Sequence, residues 1–236
     1  MDSPSKKIII TQSNYIPWKG YFDAINTVDQ FIIYDDMQFT RRDWRNRNKI
    51  KTANGLLWLT IPVEVKGKYF QKINETVVSD TDWGKQHWKT IHSNYNKSPF
   101  FKLYQERFEE FYFHNNKKRL TDVNHALISI INKILGISTE ISFSSDFDLV
   151  EGKTERLVDL CKKVGATDYY SGPAAKDYMN ESLFDAENIK VHYFDYTGYP
   201  EYKQLYGEFA HGVSIIDLLF NEGENGGNFM KSFKPL

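Results

Sequence analysis

The sequence predicts an α/β fold: one mostly parallel sheet covered by helices on both faces, with a helical insertion in the middle. Three observations carry that expectation. Short apolar runs rich in β-branched residues recur between segments of helical period. The first two such runs flank a helical pattern with short connections, a strand–helix–strand unit that pairs its strands in parallel. Between about 83 and 135, amphipathic helical patterns follow one another with no strand among them.

Taken in order, residues 1–5 read as a frayed leader. Lys7–Thr11 is a short buried strand, its centre being the β-branched Ile8-Ile9-Ile10. Pro17 suits a first helical turn, and Trp18, Tyr21, Phe22, Ile25 and Val28 keep three-to-four spacing, so a helix runs to about Thr27. Gln30–Asp35 is the next strand. Leu56–Val65 reads as a third, stopped by a turn at Lys66-Gly67-Lys68, and Lys72–Val78 as a candidate fourth. Trp83, His87, Ile91 and Tyr95 form an i, i+4 stripe on one helix. Phe100–Phe113 and Thr121–Leu135 are strongly amphipathic, and Gly136 ends the second as a residue beyond the C-cap does.

Thr139–Ser144 alternates as a strand. Lys153–Val164 is a helix closed by Gly165, Thr167–Ser171 and Ile189–Tyr196 are strands, and Val213–Phe220 is a last short helix. The Gly/Asn-rich stretch Glu222–Asn228 reads as mobile. Without repeats or a low-complexity linker, the expectation is a single α/β domain over 1–236 with the helical insertion at about 83–135.

Composition narrows the partners. Thirty basic against 31 acidic residues give no whole-chain case for nucleic acid or a membrane surface. Aromatics at 16% imply either a ring-heavy core or stacking on sugars and bases. The lone Cys161 excludes an internal disulfide, and its helical apolar setting reads as a buried thiol. No apolar run approaches the ~18 residues of a membrane span and no signal peptide is evident, so the expected location is cytoplasmic and no membrane insertion is expected.

In open parallel sheets ligands lie beyond the carboxyl ends of the strands. Polar tips follow four expected strands: Gln12–Tyr15, Asp35–Gln38, Ser144-Ser145-Asp146 and Ser171-Gly172-Pro173. Asp35 and Asp36 would point to opposite faces of an extended chain, so one can face the crevice while the other pairs with an arginine, or both can serve a turn and a salt bridge. Arg41, Arg42, Arg45 and Arg47 surround Trp44, a clamp for a phosphorylated ligand or a solvated basic loop. His87 is either a general acid/base or a hydrogen-bonded core residue. His87 and His92 lack the i, i+4 spacing of a metal pair, so no metal site is expected. His211 with Ser214 and Asp217 lacks a nucleophile elbow and is discounted as a triad. Neither a Walker loop nor Gly-x-Gly-x-x-Gly occurs.

The stretches QSNYIPWKGYF (12–22), VDQFIIYDDMQF (28–39) and RRDWRNRNKI (41–50) resemble the opening of the WbqC family. WGKQHWKTIHSNY (83–95), SSD (144–146), ERLVDLCKKVGATDYY (155–170), YKQLYGEF and SIIDLLF extend the resemblance from about 7 to 220. Ser13 stands where the family tends to have proline, Phe39 replaces tyrosine and Asp43 glycine. The resemblance implies a step in O-antigen or other surface-polysaccharide biosynthesis on a nucleotide-linked amino sugar. Carried over by position, the residues to test are Gln12, Tyr15, Pro17, Gly20, Tyr21, Asp35, Gln38, Arg42, Trp44, Arg47, His87, Ser145, Lys203 and Asp217, beside Ser144 and Ser171 at strand ends. The layout also resembles the HUP/Rossmann-like nucleotide-binding folds, although their His-x-Gly-His signature is replaced by Trp18-Lys19-Gly20-Tyr21.

The leading expectation is an enzyme that N-acylates or aminoacylates a nucleotide-linked, thymidine-type amino sugar. Asp35 or His87 would act as base, and Gln12, Ser145 or backbone amides as oxyanion donors. The donor is an acyl thioester (CoA or a carrier protein) or a carboxylate activated with ATP, and the sequence does not choose. The alternatives are a compact glycosyltransferase and a non-catalytic nucleotide-sugar-binding protein. Homodimerisation is a default only.

Overall fold

The computed structural model describes residues 5–233, so the expected leader lies outside the described residues except for Ser5. In chain order the first half runs β1 (Lys7–Thr11), α1 (Lys19–Thr27), β2 (Gln30–Ile33), β3 (Arg47–Thr52), β4 (Gly55–Thr60), α2 (Trp83–Tyr95), α3 (Phe101–His114) and α4 (Leu120–Leu135). The second half adds β5 (Glu140–Phe143), α5 (Thr154–Lys163), β6 (Asp168–Ser171), α6 (Ser182–Asp185), β7 (Lys190–Tyr193) and α7 (Ile215–Glu222).

Five strands make one sheet in the order β5-β2-β1-β6-β7, and every neighbouring pair is parallel. The expected α/β class therefore stands, in the doubly wound order whose switch point lies between β1 and β6. Both faces are covered. Ile8, Ile10 and Ile32 pack on Val158, Cys161 and Phe184 of α5 and α6. Ile9, Phe31 and Ile33 point the other way, into a cluster with Phe22 and Ile25 of α1, Leu127 and Ile131 of α4 and Leu218 of α7. Alternation within one apolar run thus feeds two cores, as a strand buried on both faces requires.

Register levels the strand tips. Thr11 pairs with Ile33 and Ile33 with Phe143, so β1, β2 and β5 end side by side. Ser171 sits level with Tyr193 and one step short of Thr11.

The helices between β4 and β5 form as their apolar spacing dictates. The α2 stripe Trp83, His87, Ile91 and Tyr95 is buried, and the Trp88 ring stacks on Phe101 and Tyr112 of α3 at 5.8 and 6.0 Å. Gly136 (φ 70°) closes α4 in the left-handed region that glycine occupies without strain.

Three expectations are corrected. The segment 56–65 does not join the main sheet: β4 pairs antiparallel with β3, a strand that starts at Arg47 and was not expected, while Arg41, Arg42 and Arg45 lie in the turns before it. The chain returns through Ala53-Asn54, and Gly55 at φ 102° closes the turn by pairing with Thr52. Lys72–Val78 carries a 3-10 turn at Ile73–Glu75 and single bridges from Val63 to Val78 and from Val77 to Arg119. The stretch expected to be mobile is a 3-10 segment, Gly223–Phe229, packed on α7, with Gly223 against the Phe100 ring and Met230 buried beyond it.

Candidate functional site

The chain leaving β1 is tied down on every side. Ser13 donates its N–H to Asp35 Oδ1 (2.8 Å) and its hydroxyl to Oδ2 (2.6 Å), and Thr121 of α4 adds a third hydrogen bond (2.6 Å). Asn124, one turn further along α4, donates to Ser13 Oγ and to the Arg45 carbonyl, both at 2.9 Å. Ser13 is where the resemblance departs from proline, which could supply neither bond. Burial raises the Asp35 carboxyl above its ordinary value, against the pull of these donors and of Arg45.

Two residues on, Tyr15 is wholly buried. Its hydroxyl meets His87 Nδ1 and the Tyr112 hydroxyl, each at 2.8 Å, while His87 Nε2 faces the Thr60 carbonyl at 3.2 Å. Burial pushes the His87 imidazole down to about 4, so it is neutral, with Nε2–H donating to Thr60 and Nδ1 accepting from Tyr15.

Asn48 of β3 donates to the carbonyls of Tyr15 (3.1 Å) and Ile16 (2.9 Å). It thereby clamps Ile16 at φ 34°, a conformation that a β-branched residue holds only where its surroundings impose it, and such strain clusters at ligand sites. Gly20 has its own local reason. A Cβ there would sit 2.3 Å from the Trp18 ring, so glycine lets that indole fold back over the start of α1.

Above this braced loop opens a cavity of about 330 Å³, lined by Asn14, Pro17, Trp18, Trp44, Asn48, His211 and Gly212. Its rim carries a platform of half-exposed rings. Trp44 and Trp58 lie 5.3 Å apart at 39°, and are 41% and 38% exposed. The Arg47 guanidinium stacks 4.0 Å over Trp58, and Lys49 Nζ stands 4.9 Å from Trp58 and 5.9 Å from Trp44. Arg47 Nε is buried without a hydrogen-bond partner among the described residues. Asn14 Oδ1 accepts from Arg45, and His211, half-exposed, has Nε2 3.8 Å from Glu201. Rings, fixed cations, an amide and an imidazole around one opening suit an anion with a flat group attached.

Of the residues expected at the site, Trp44 lines the cavity together with Pro17, Arg47 belongs to the rim platform, and Gly20 acts through Trp18. Asp35, Tyr15 and His87 are buried beneath the loop with their polar atoms paired, outside the cavity lining. Tyr21 is likewise buried, its hydroxyl donating to the Gln12 carbonyl (3.0 Å). The Gln12 amide, half-buried at the end of β1, has no partner among the described residues. Gln38 is exposed and donates to the Tyr69 carbonyl (2.8 Å), and exposed Arg42 (φ 61°) accepts from Arg47 through its carbonyl. Ser144 is spent on Asp36 at 2.5 Å beside exposed Ser145, Ser171 is nearly buried at the tip of β6, and Lys203 is exposed outside the cavity lining.

Asp217 is fully buried between the hydroxyls of Tyr95 (2.7 Å) and Tyr202 (2.8 Å), its carboxyl raised by burial. It braces α7 behind β3, where Lys51 reaches Gln204 at 2.7 Å. Trp58 and Lys49 were not singled out from the sequence, Asn14 entered only as part of the Gln12–Tyr15 tip, and His211 was discounted as a triad member. The available signal was the turn at Ala53-Asn54-Gly55, because the hairpin register it imposes sets Lys49 opposite Trp58.

Among the described residues, no helix is long and apolar enough to cross a membrane. A family model, the WbqC-like protein family, matches residues 12–229. The uncharacterized protein Rv1507c of Mycobacterium tuberculosis is 50% identical over 226 residues, which is 96% of this chain and 98% of the relative. No solved structure matches.

Proposed function

The chain belongs to the WbqC-like protein family, and on that premise we propose that it is a surface-polysaccharide enzyme that joins an acyl or aminoacyl group to the amine of a nucleotide-linked amino sugar. The observation that carries the reading is the Trp44–Trp58 platform with Arg47 and Lys49 at the mouth of the cavity. A cavity of about 330 Å³ is at the low end of the ~300–1,000 Å³ usual for ligand sites. It suits the sugar and the acyl carbonyl, leaving the base to stack on the exposed rings and the diphosphate to the two cations.

Amide formation needs three things. The sugar ammonium must lose a proton, and His211 is the imidazole that lines the cavity. The freed amine attacks the donor carbonyl carbon, a C–N bond forms, and the carbonyl oxygen takes up negative charge that the Asn14 amide can meet as a donor. Collapse then breaks the bond to the leaving group, a thiolate from a thioester or a phosphate from an ATP-activated carboxylate; the nitrogen sheds its second proton to that leaving group, and His211 returns the first to solvent.

The test incubates the pure protein with thymidine-linked amino sugars and, separately, acyl-CoA or ATP plus an amino acid. An acylated sugar nucleotide, read as a mass gain, is expected with one donor class. Absence of product with every donor, while the sugar nucleotide still raises the melting temperature, would reduce the protein to a binder.

A further inference from the structure

Among the described residues, the two most exposed large hydrophobic side chains sit next to each other. Tyr69 is 77% and Phe70 81% exposed, their rings 4.9 Å apart and edge-to-face. Both stand on the turn that follows Gly67 (φ 75°). That turn is not a loose tip. Gln38 donates to the Tyr69 carbonyl (2.8 Å), the Phe39 N–H to the Gln71 carbonyl (2.9 Å) and the Gln71 amide to the Glu64 carbonyl (2.8 Å). The backbone is thus anchored from both sides while the rings face solvent. Nothing in the cavity uses them.

Basic residues flank the pair along the chain. Lys66 and Lys68 bracket Gly67, Lys72 follows two residues after Phe70, and Arg41 donates to the Val65 carbonyl (3.2 Å) at the base of the turn. Glu64 holds Lys68, and Asp36 lies 3.6 Å from Lys72, whereas Lys66 and Arg41 form no ion pair among the described residues. Water-facing aromatic rings set among basic side chains suit the boundary between lipid headgroups and acyl chains, where rings enter and ammonium groups stay with phosphates.

We propose that this turn docks the protein onto an anionic membrane surface, with Tyr69 and Phe70 entering the headgroup layer and Lys66 and Arg41 meeting lipid phosphates. This is peripheral contact by a loop, which neither a balanced whole-chain charge nor the lack of a spanning helix among the described residues bears on. A second copy of the chain is the poorer occupant. A two-fold contact through this patch would set its lysines against their own symmetry mates. The inference stands independently of the acylation reading, because none of these side chains lines the cavity.

The experiment is flotation of the full chain with lipid vesicles of neutral phosphatidylcholine, or of phosphatidylcholine with about 30% phosphatidylglycerol. Wild type should float with the anionic vesicles and be released by salt. Tyr69→Ser with Phe70→Ser should weaken that binding by about tenfold or more, the loss expected when two rings stop being buried. Lys66→Gln with Arg41→Gln should weaken it on the order of tenfold and flatten the salt dependence. A second readout uses Phe70→Cys carrying an environment-sensitive dye, which labels selectively because Cys161 is fully buried. Its emission should shift to the blue only with anionic vesicles. Equal flotation of wild type and the serine variant, or an unshifted dye, overturns the proposal. So does a serine variant that binds vesicles normally but loses nucleotide affinity or a dimer, since the turn would then serve the cavity or a protein contact.

Discussion

Lowering the pH from about 7 to 5 should cost this protein stability through one side chain. His87 titrates at its ordinary 6.5 when unfolded and near 4 when folded, burial being the dominant cause. The folded value is the lower one, so the unfolded chain takes up the proton first and stability falls as pH drops through that window. At pH 5 almost all unfolded chains carry the proton and few folded ones do, which amounts to about 2 kcal/mol. For a chain of this size that is a melting-temperature drop of about 4–8 °C. His87→Gln isolates the contribution: its amide can donate to Thr60 and accept from Tyr15, but it does not titrate. Thermal melts of both proteins at the two pH values should show the wild type losing that much more than the variant. Parallel pH dependence would refute the buried, neutral imidazole. A variant that melts normally, binds sugar nucleotide normally and yet loses turnover would return His87 to the chemistry.

Asp35→Ala should cost about 3 kcal/mol or more, because it strands the buried Ser13 N–H and Thr121 hydroxyl, whereas Asp35→Asn should cost nearer 1 kcal/mol. Chemical denaturation of the two variants measures the difference, and an unchanged Asp35→Ala would contradict it. Trp44→Ala and Trp58→Ala should each weaken binding of a thymidine sugar nucleotide by about tenfold, from a stacking contribution of roughly 1–3 kcal/mol, with little effect on melting because both rings are half-exposed. Calorimetric titration reads this directly. His211→Asn should remove most turnover while leaving the apparent affinity for the sugar nucleotide close to wild type, which steady-state kinetics separates into kcat and KM. Cys161, buried and with its thiol pushed up to about 12, should resist a thiol reagent until the chain is unfolded in denaturant.

Much of the fold was legible because its signals are local. The triple isoleucine of β1, the run 31–33 of β2 and the i, i+4 stripe of α2 each announce their element through side-chain period alone, and the elements sit where those periods set them. The family was legible too, because its stretches are contiguous in the chain. Local signals misled where a strand's partner mattered. Leu56–Val65 reads as a strand in isolation, but only the return turn at Ala53-Asn54 decides that it pairs with the strand starting at Arg47 instead of the main sheet.

The sequence by itself therefore determined the parallel sheet, its two apolar faces and the polar strand tips, since hydrophobic periodicity is written residue by residue. Tertiary structure alone decided which polar groups face the cavity. Asp35 and His87 are chemically suited to proton transfer. Their fate was set by distant partners: Thr121 reaches Asp35 across 86 positions, and Tyr15 meets His87 across 72. Those contacts bury and satisfy both groups, while the hairpin and the 211–212 turn bring Trp58, Lys49 and His211 to the opening. A side chain's reactivity depends on its solvent and its neighbours, and neither is fixed until the chain has packed.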